Sequence, residues 1–98
     1  MIIRETLKKI IRKINMNEKL GDFRGQIDEV DLEIIRLLEK RAEIAGKIGE
    51  IKRENNMPIR DEEREKEVVE KLGGKSSLNP EFIEKLYAEI IRYCRENE

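Results

Sequence analysis

The stretch DFRGQIDEVDLEIIRLLEKRAEIAGKIGEIKREN, Asp22 to Asn55, decides the fold. Its apolar side chains recur at Phe23, Ile27, Val30, Ile34, Leu37/Leu38, Ile44/Ala45, Ile48 and Ile51, spacings of three and four that belong to one face of an α-helix. At about 1.5 Å per residue this helix would be about 50 Å long, far more than a 98-residue monomer needs. Such a helix must pack along something equally long. Asn55-Asn56-Met57-Pro58 ends it, because Pro58 disfavours helical backbone at the residue before it.

Two shorter helices follow. Asp61 is a good N-cap, Glu62 and Glu63 suit the positive end of a helix dipole, and the segment runs on through Val68, Val69 and Leu72. Gly73-Gly74 is read as its stop and Lys75–Leu78 as a short loop. Asn79-Pro80-Glu81 has the order cap, proline at the first helical position, acidic first turn. The third helix carries Phe82, Ile83, Leu86, Tyr87, Ile90, Ile91 and Cys94, with Phe82 and Tyr87 read as core. The sequence has no strand signal and no internal repeat, so the fold class is all-α, three helices per chain with a long first one.

Composition narrows the chemistry. The chain has no histidine, no tryptophan and one cysteine, which removes histidine general bases, Cys-His nucleophile pairs, zinc clusters and an intramolecular disulfide. Cysteine usage fits a reducing cytoplasm. No stretch has the length of a transmembrane helix, the N-terminus lacks a secretion signal's apolar core, and the expectation is a soluble protein with no membrane partner. Charged residues make up 44% of the chain, well above the usual quarter or so, and a chain this short buries only about 60 to 65% of its unfolded surface. A dimer would supply the missing core. Residues 1–20 carry six Lys/Arg against two Glu, a balance of +4 that leaves −5 on the remainder of a chain of net charge −1. A general nucleic-acid surface on residues 21–98 is therefore not expected.

Against this background the placement of cations stands out. Arg41 and Lys52 are eleven residues apart, almost three helical turns, so they share a face at a separation of about 16 Å along the axis. Their long side chains can converge on a ligand between them. Arg24 precedes Arg41 by seventeen residues, about 25 Å, and lies on another face. Within one straight helix it cannot reach the same ligand, but in an antiparallel pair of such helices Arg24 of one chain approaches the Arg41/Lys52 region of the other. Arg64 and Glu65 can enter this pocket after the Pro58 turn, and Cys94 and Glu98 lie one turn apart on the third helix. With Ile48, Val68 and Ile91 as walls, the pocket suits a small, multiply anionic, partly apolar molecule. Gly46 and Gly49 would allow close helix approach.

The ordered set Phe23-Arg24-x-x-Ile27-Asp28-x-x-Asp31, Leu38-x-x-Arg41, Lys52, Pro58-Ile59-x-Asp61-x-x-Arg64-Glu65 resembles the all-helical (AroQ-class) chorismate mutase family over about residues 20–98. The resemblance implies an intertwined helical homodimer whose two sites are each completed by the partner's first helix. It also implies conversion of chorismate to prephenate, in phenylalanine and tyrosine biosynthesis, with no metal and no cofactor. By the same resemblance, Arg41 and the partner's Arg24 would grip the substrate's carboxylates. Lys52 would contact a carboxylate and the ether oxygen. Glu65 and the Asp61 region would hold the ring hydroxyl, with Arg64 ordering them. Glu98 would stand where the family has Gln or Glu at the ether oxygen, and Cys94 where a small polar residue is common. An ionised Glu98 repels a developing oxyanion and a protonated one donates to it, so activity is expected to be higher below neutral pH and Glu98→Gln to flatten that dependence.

Two other sister activities would use a similar cationic pocket, isochorismate-pyruvate lyase and aminodeoxychorismate mutase. A reading of a different class is a non-catalytic helical dimerisation or regulatory module. Residues 1–19 lie outside the resemblance: Ile3, Leu7, Ile10 and Ile14 form an apolar stripe beside Arg4, Lys8, Lys9, Arg12 and Lys13, read as a basic amphipathic arm that is a helical extension or loosely ordered.

Overall fold

The computed structural model describes residues 2–98, and all regular structure among them is helical: α1 (Ile2–Glu54), α2 (Glu62–Lys75) and α3 (Pro80–Glu96). The first helix therefore begins well before Asp22. Residues 2–20 contain no proline and are rich in Ile, Leu, Lys and Arg, so nothing interrupts the backbone ladder there.

Each helix end has a local cause. At the end of α1, Asn56 adopts a left-handed conformation (φ 55°). Met57 N–H then donates to Lys52 O at 2.8 Å and Asn56 N–H to Arg53 O at 3.3 Å, the paired bonds of a Schellman cap with asparagine in place of glycine. Asp61 caps α2 by accepting from Arg64 N–H at 3.0 Å, and Asn79 caps α3 by accepting from Glu81 and Phe82 N–H at 2.8 and 3.2 Å. Helix α2 does not stop at Gly73-Gly74. Neither glycine has positive φ, the helix continues to Lys75, and Ser76 N–H closes it on Leu72 O at 3.0 Å.

The chain divides into two compact units, one reaching Arg36 and the other Leu37–Glu98. The first is the N-terminal part of α1. In the second, α2 and α3 pack on each other, and Ala45 of α1 is buried along with Ile83 and Cys94 of α3. Tyr87, Ile90 and Ile91 of α3 are half-buried, whereas Phe82, read as core from sequence, is 52% exposed. The α3 outer face is charged: Arg92 donates to both Glu89 and Glu96 at 2.8 and 2.9 Å, and the bond from Arg92 holds the Glu89 carboxyl below its ordinary value.

Most of the apolar stripe that defines α1 faces solvent. Phe23, Ile27, Val30, Ile34, Leu37, Ile44, Ile48 and Ile51 are all exposed. The chain exposes 8831 Å², against about 5,800 Å² for a folded monomer of its mass.

Candidate active site

A cavity of about 380 Å³ lies within the second unit, and its walls follow from helical spacing. Helix α1 lends one face, Arg41, Ile44/Ala45, Ile48 and Lys52, at steps of three and four. Ile59, Asp61, Arg64, Glu65 and Val68 come from the turn after Pro58 and the start of α2. From α3 and its end come Ile91, Cys94, Arg95 and Glu98, again one helical stripe. Thus Arg41, Lys52, Asp61, Arg64, Glu65, Cys94 and Glu98 all border one space. Arg24, on the first unit, is exposed and does not line it.

Lys52 is the best-anchored cation. The cap at Asn56 folds the chain back so that Lys52 Nζ donates to Ile59 O at 2.7 Å, and its side chain is only 17% exposed. Its Nζ also lies 3.8 Å from Glu98 Oε2. That distance gives attraction without a hydrogen bond, and among the described residues Oε2 is buried with no hydrogen-bond partner. Glu98 is itself held by a turn at the end of α3, its N–H donating to Arg95 O at 3.1 Å.

Glu65 is fixed on the opposite wall by two arginines. Arg95 Nη1 donates to its Oε1, and Arg60 Nε lies 3.8 Å from its Oε2. Arg64, expected to order Asp61 and Glu65, instead turns its guanidinium to Glu67 Oε1 at 3.4 Å while its backbone N–H serves the Asp61 cap. Arg95 and Arg60 were not singled out from sequence. Arg95 is thirty residues from Glu65, so no local spacing links them. The sequence signal for Arg95 is the stripe Ile91, Cys94, Arg95, Glu98, which puts it on the same face as Cys94 and Glu98.

Arg41 differs from the other cations: half-buried at the cavity, it has no ion-pair partner among the described residues. A guanidinium left without a carboxylate in partly desolvated surroundings is a receptor for a ligand anion. Cys94, 4% exposed, is small enough to leave room beside Glu98. The arrangement can bind a small polyanion and set a fixed ammonium beside an oxygen on which negative charge grows. Among the described residues no helix is long and apolar enough to cross a membrane, and no group of three or more His, Cys, Asp or Glu is placed to hold a metal ion.

Comparison with known proteins agrees in its coverage with this geometry. A bifunctional chorismate mutase/prephenate dehydratase of Aquifex aeolicus is 42% identical over 85 residues, 79% of this chain and 23% of that protein. A chorismate mutase of Methanocaldococcus jannaschii is 40% identical over 57 residues, 58% of each. The chain thus spans about a fifth of the length of the bifunctional relatives. Among solved structures, a conserved hypothetical protein from Pyrococcus furiosus superposes with a TM-score of 0.68 at 37% identity, covering 81% of this chain and 93% of that one. Residues 23–98 match the family described as chorismate mutase type II, and the chain belongs to that family.

Proposed function

We propose that this chain converts chorismate to prephenate by an intramolecular Claisen rearrangement, as one subunit of a cytoplasmic homodimer in phenylalanine and tyrosine biosynthesis. The observation that carries the reading is Arg41, half-buried and without an ion-pair partner among the described residues, on the same cavity as the anchored Lys52 and a Glu98 oxygen that no described residue hydrogen-bonds. The names of the relatives support it.

The reaction breaks a carbon–oxygen bond and forms a carbon–carbon bond inside one molecule, so it needs no nucleophile, base, metal or cofactor. What it needs is a folded-over substrate and stabilised charge on the ether oxygen. Arg41, with Arg24 of the partner subunit, holds the two carboxylates and so restrains the enolpyruvyl arm over the ring. Asp61 and Glu65 accept from the ring hydroxyl, with Arg64 at the same wall. Lys52 Nζ and the Glu98 side chain face the ether oxygen, where a fixed donor is worth about 10²–10³ in rate. Cys94, small and on the same wall, leaves room for the substrate beside Glu98.

The dimer is supported by the exposed stripe on α1 and by the excess of accessible surface over that of a monomer of this mass. The experiment is incubation of the purified chain with chorismate and identification of the product by NMR. Prephenate is expected. Unchanged chorismate with a folded protein overturns the proposal in favour of a non-catalytic module, and release of pyruvate reassigns the reaction.

A further inference from the structure

Of the two glycines on the second unit's stretch of α1, Gly49 alone is closely approached by a distant part of the described chain. A Cβ built at Gly46 meets nothing within 4 Å. A Cβ at Gly49 would lie 2.8 Å from Glu98 Cβ, 2.9 Å from Glu98 O and 3.0 Å from Glu98 Cα. Gly49 is buried and its φ is not positive, so the backbone there is one that any residue adopts. Glycine at this position therefore supplies space, not conformational freedom. Two of the three atoms it accommodates are backbone, so no side-chain rotation at residue 98 would relieve a clash.

Gly49 also sits one turn before Lys52 on α1. The seat for Glu98 and the cation that Glu98 faces are thus consecutive steps of one helical face. From these distances we infer that Gly49 is a positioning residue: the missing side chain lets the end of α3 descend onto α1, and this descent brings the Glu98 carboxyl into the cavity within 3.8 Å of Lys52 Nζ. Any side chain at 49 lifts Glu98 out of the site while leaving Arg41 and Lys52 where they are. The functional part of this inference rests on the mutase reading.

The test is Gly49→Ala, with Gly46→Ala as the control on the same helix. Alanine is the better helix former, so both variants retain α1 and neither loses activity by unfolding it. Gly49→Ala is expected to lower kcat about as far as Glu98→Ala, by about 10²-fold, with a smaller change in KM. In a Glu98→Ala background it should lower kcat little further, since its effect runs through Glu98. Gly46→Ala should behave as the parent. A Gly49→Ala enzyme with parental kcat, or one whose loss multiplies with that of Glu98→Ala, overturns the inference. A crystal structure of Gly49→Ala separates this from the function itself. Glu98 displaced from Lys52 upholds the seat even if the parent does not consume chorismate, and Glu98 unmoved overturns it whatever the activity.

Discussion

Lys52 Nζ and Glu98 Oε2 face each other at 3.8 Å, both side chains largely buried, without a hydrogen bond between them. The pair is stretched between two anchors, Ile59 O holding the ammonium and the turn at the end of α3 holding the carboxyl. A ligand oxygen of the right charge can therefore take the place of one attraction without breaking a hydrogen-bonded pair. Lys52→Met removes the cation and leaves Glu98 buried and unpaired. It should cost about 1–3 kcal/mol of stability and about 10²–10³ in kcat. Adding Glu98→Gln should restore most of the stability and none of the turnover, read by denaturant melts and steady-state kinetics on the same samples.

Glu98 can also be tested by exchanging its carboxyl for a donor. It is faced by Lys52 from α1 and shares the cavity with Arg41, Arg64, Glu65 and its own neighbour Arg95. A side chain that donates to the ether oxygen stabilises the charge growing there, so Glu98→Gln should keep or raise kcat where Glu98→Ala lowers it. Glu98→Gln keeps every neighbour and replaces the carboxyl by a permanent donor. Steady-state kinetics check this, and a Glu98→Gln enzyme as impaired as Glu98→Ala would refute the role.

Arg95 ties α3 to α2 through Glu65, with both side chains about a quarter exposed. Arg95→Met should destabilise the fold by about 1–2 kcal/mol, between the value of an exposed pair and that of a fully buried one. It frees Glu65 to move away from the ring hydroxyl, so KM should rise more than kcat falls. A Tm loss with unchanged KM would make Arg95 purely structural.

The Asn56 cap positions Lys52 from outside the cavity. At φ 55° a β-branched residue is strained and glycine is not, so Asn56→Val should lose about 1–2 kcal/mol while Asn56→Gly stays near the parent. Because the turn carries the Ile59 carbonyl that holds Lys52, the valine variant should also lose kcat. Thermal melts and kinetics of the two variants check both halves.

If Arg24 serves the partner's site, Arg24→Ala and Arg41→Ala homodimers are each impaired, but their heterodimer contains one site with both arginines. Mixing the two variants under exchange conditions should restore about a quarter of the parental activity, since half the dimers are mixed and half their sites are intact. No recovery, with exchange verified by mass, would place Arg24 in its own chain's function or in none.

How far the sequence reached depends on the range of the interaction concerned. Helices were legible because their causes are local: the three-and-four spacing of α1, the Asp61 cap, and the Asn79-Pro80 start are each contained within a few residues. Boundaries were less so. Gly73-Gly74 failed to stop α2 because the closing bond from Ser76 N–H to Leu72 O favoured continuing the helix over a left-handed glycine cap. Candidate residues on a single helical face, such as Arg41 with Lys52, could be grouped from periodicity alone. Only the tertiary structure decided that Arg95, not Arg64, holds Glu65, and that Gly49, not Gly46, is the point of close approach. Such pairings join residues thirty or more positions apart, and they depend on how one helix is rotated against another. No local spacing encodes that rotation.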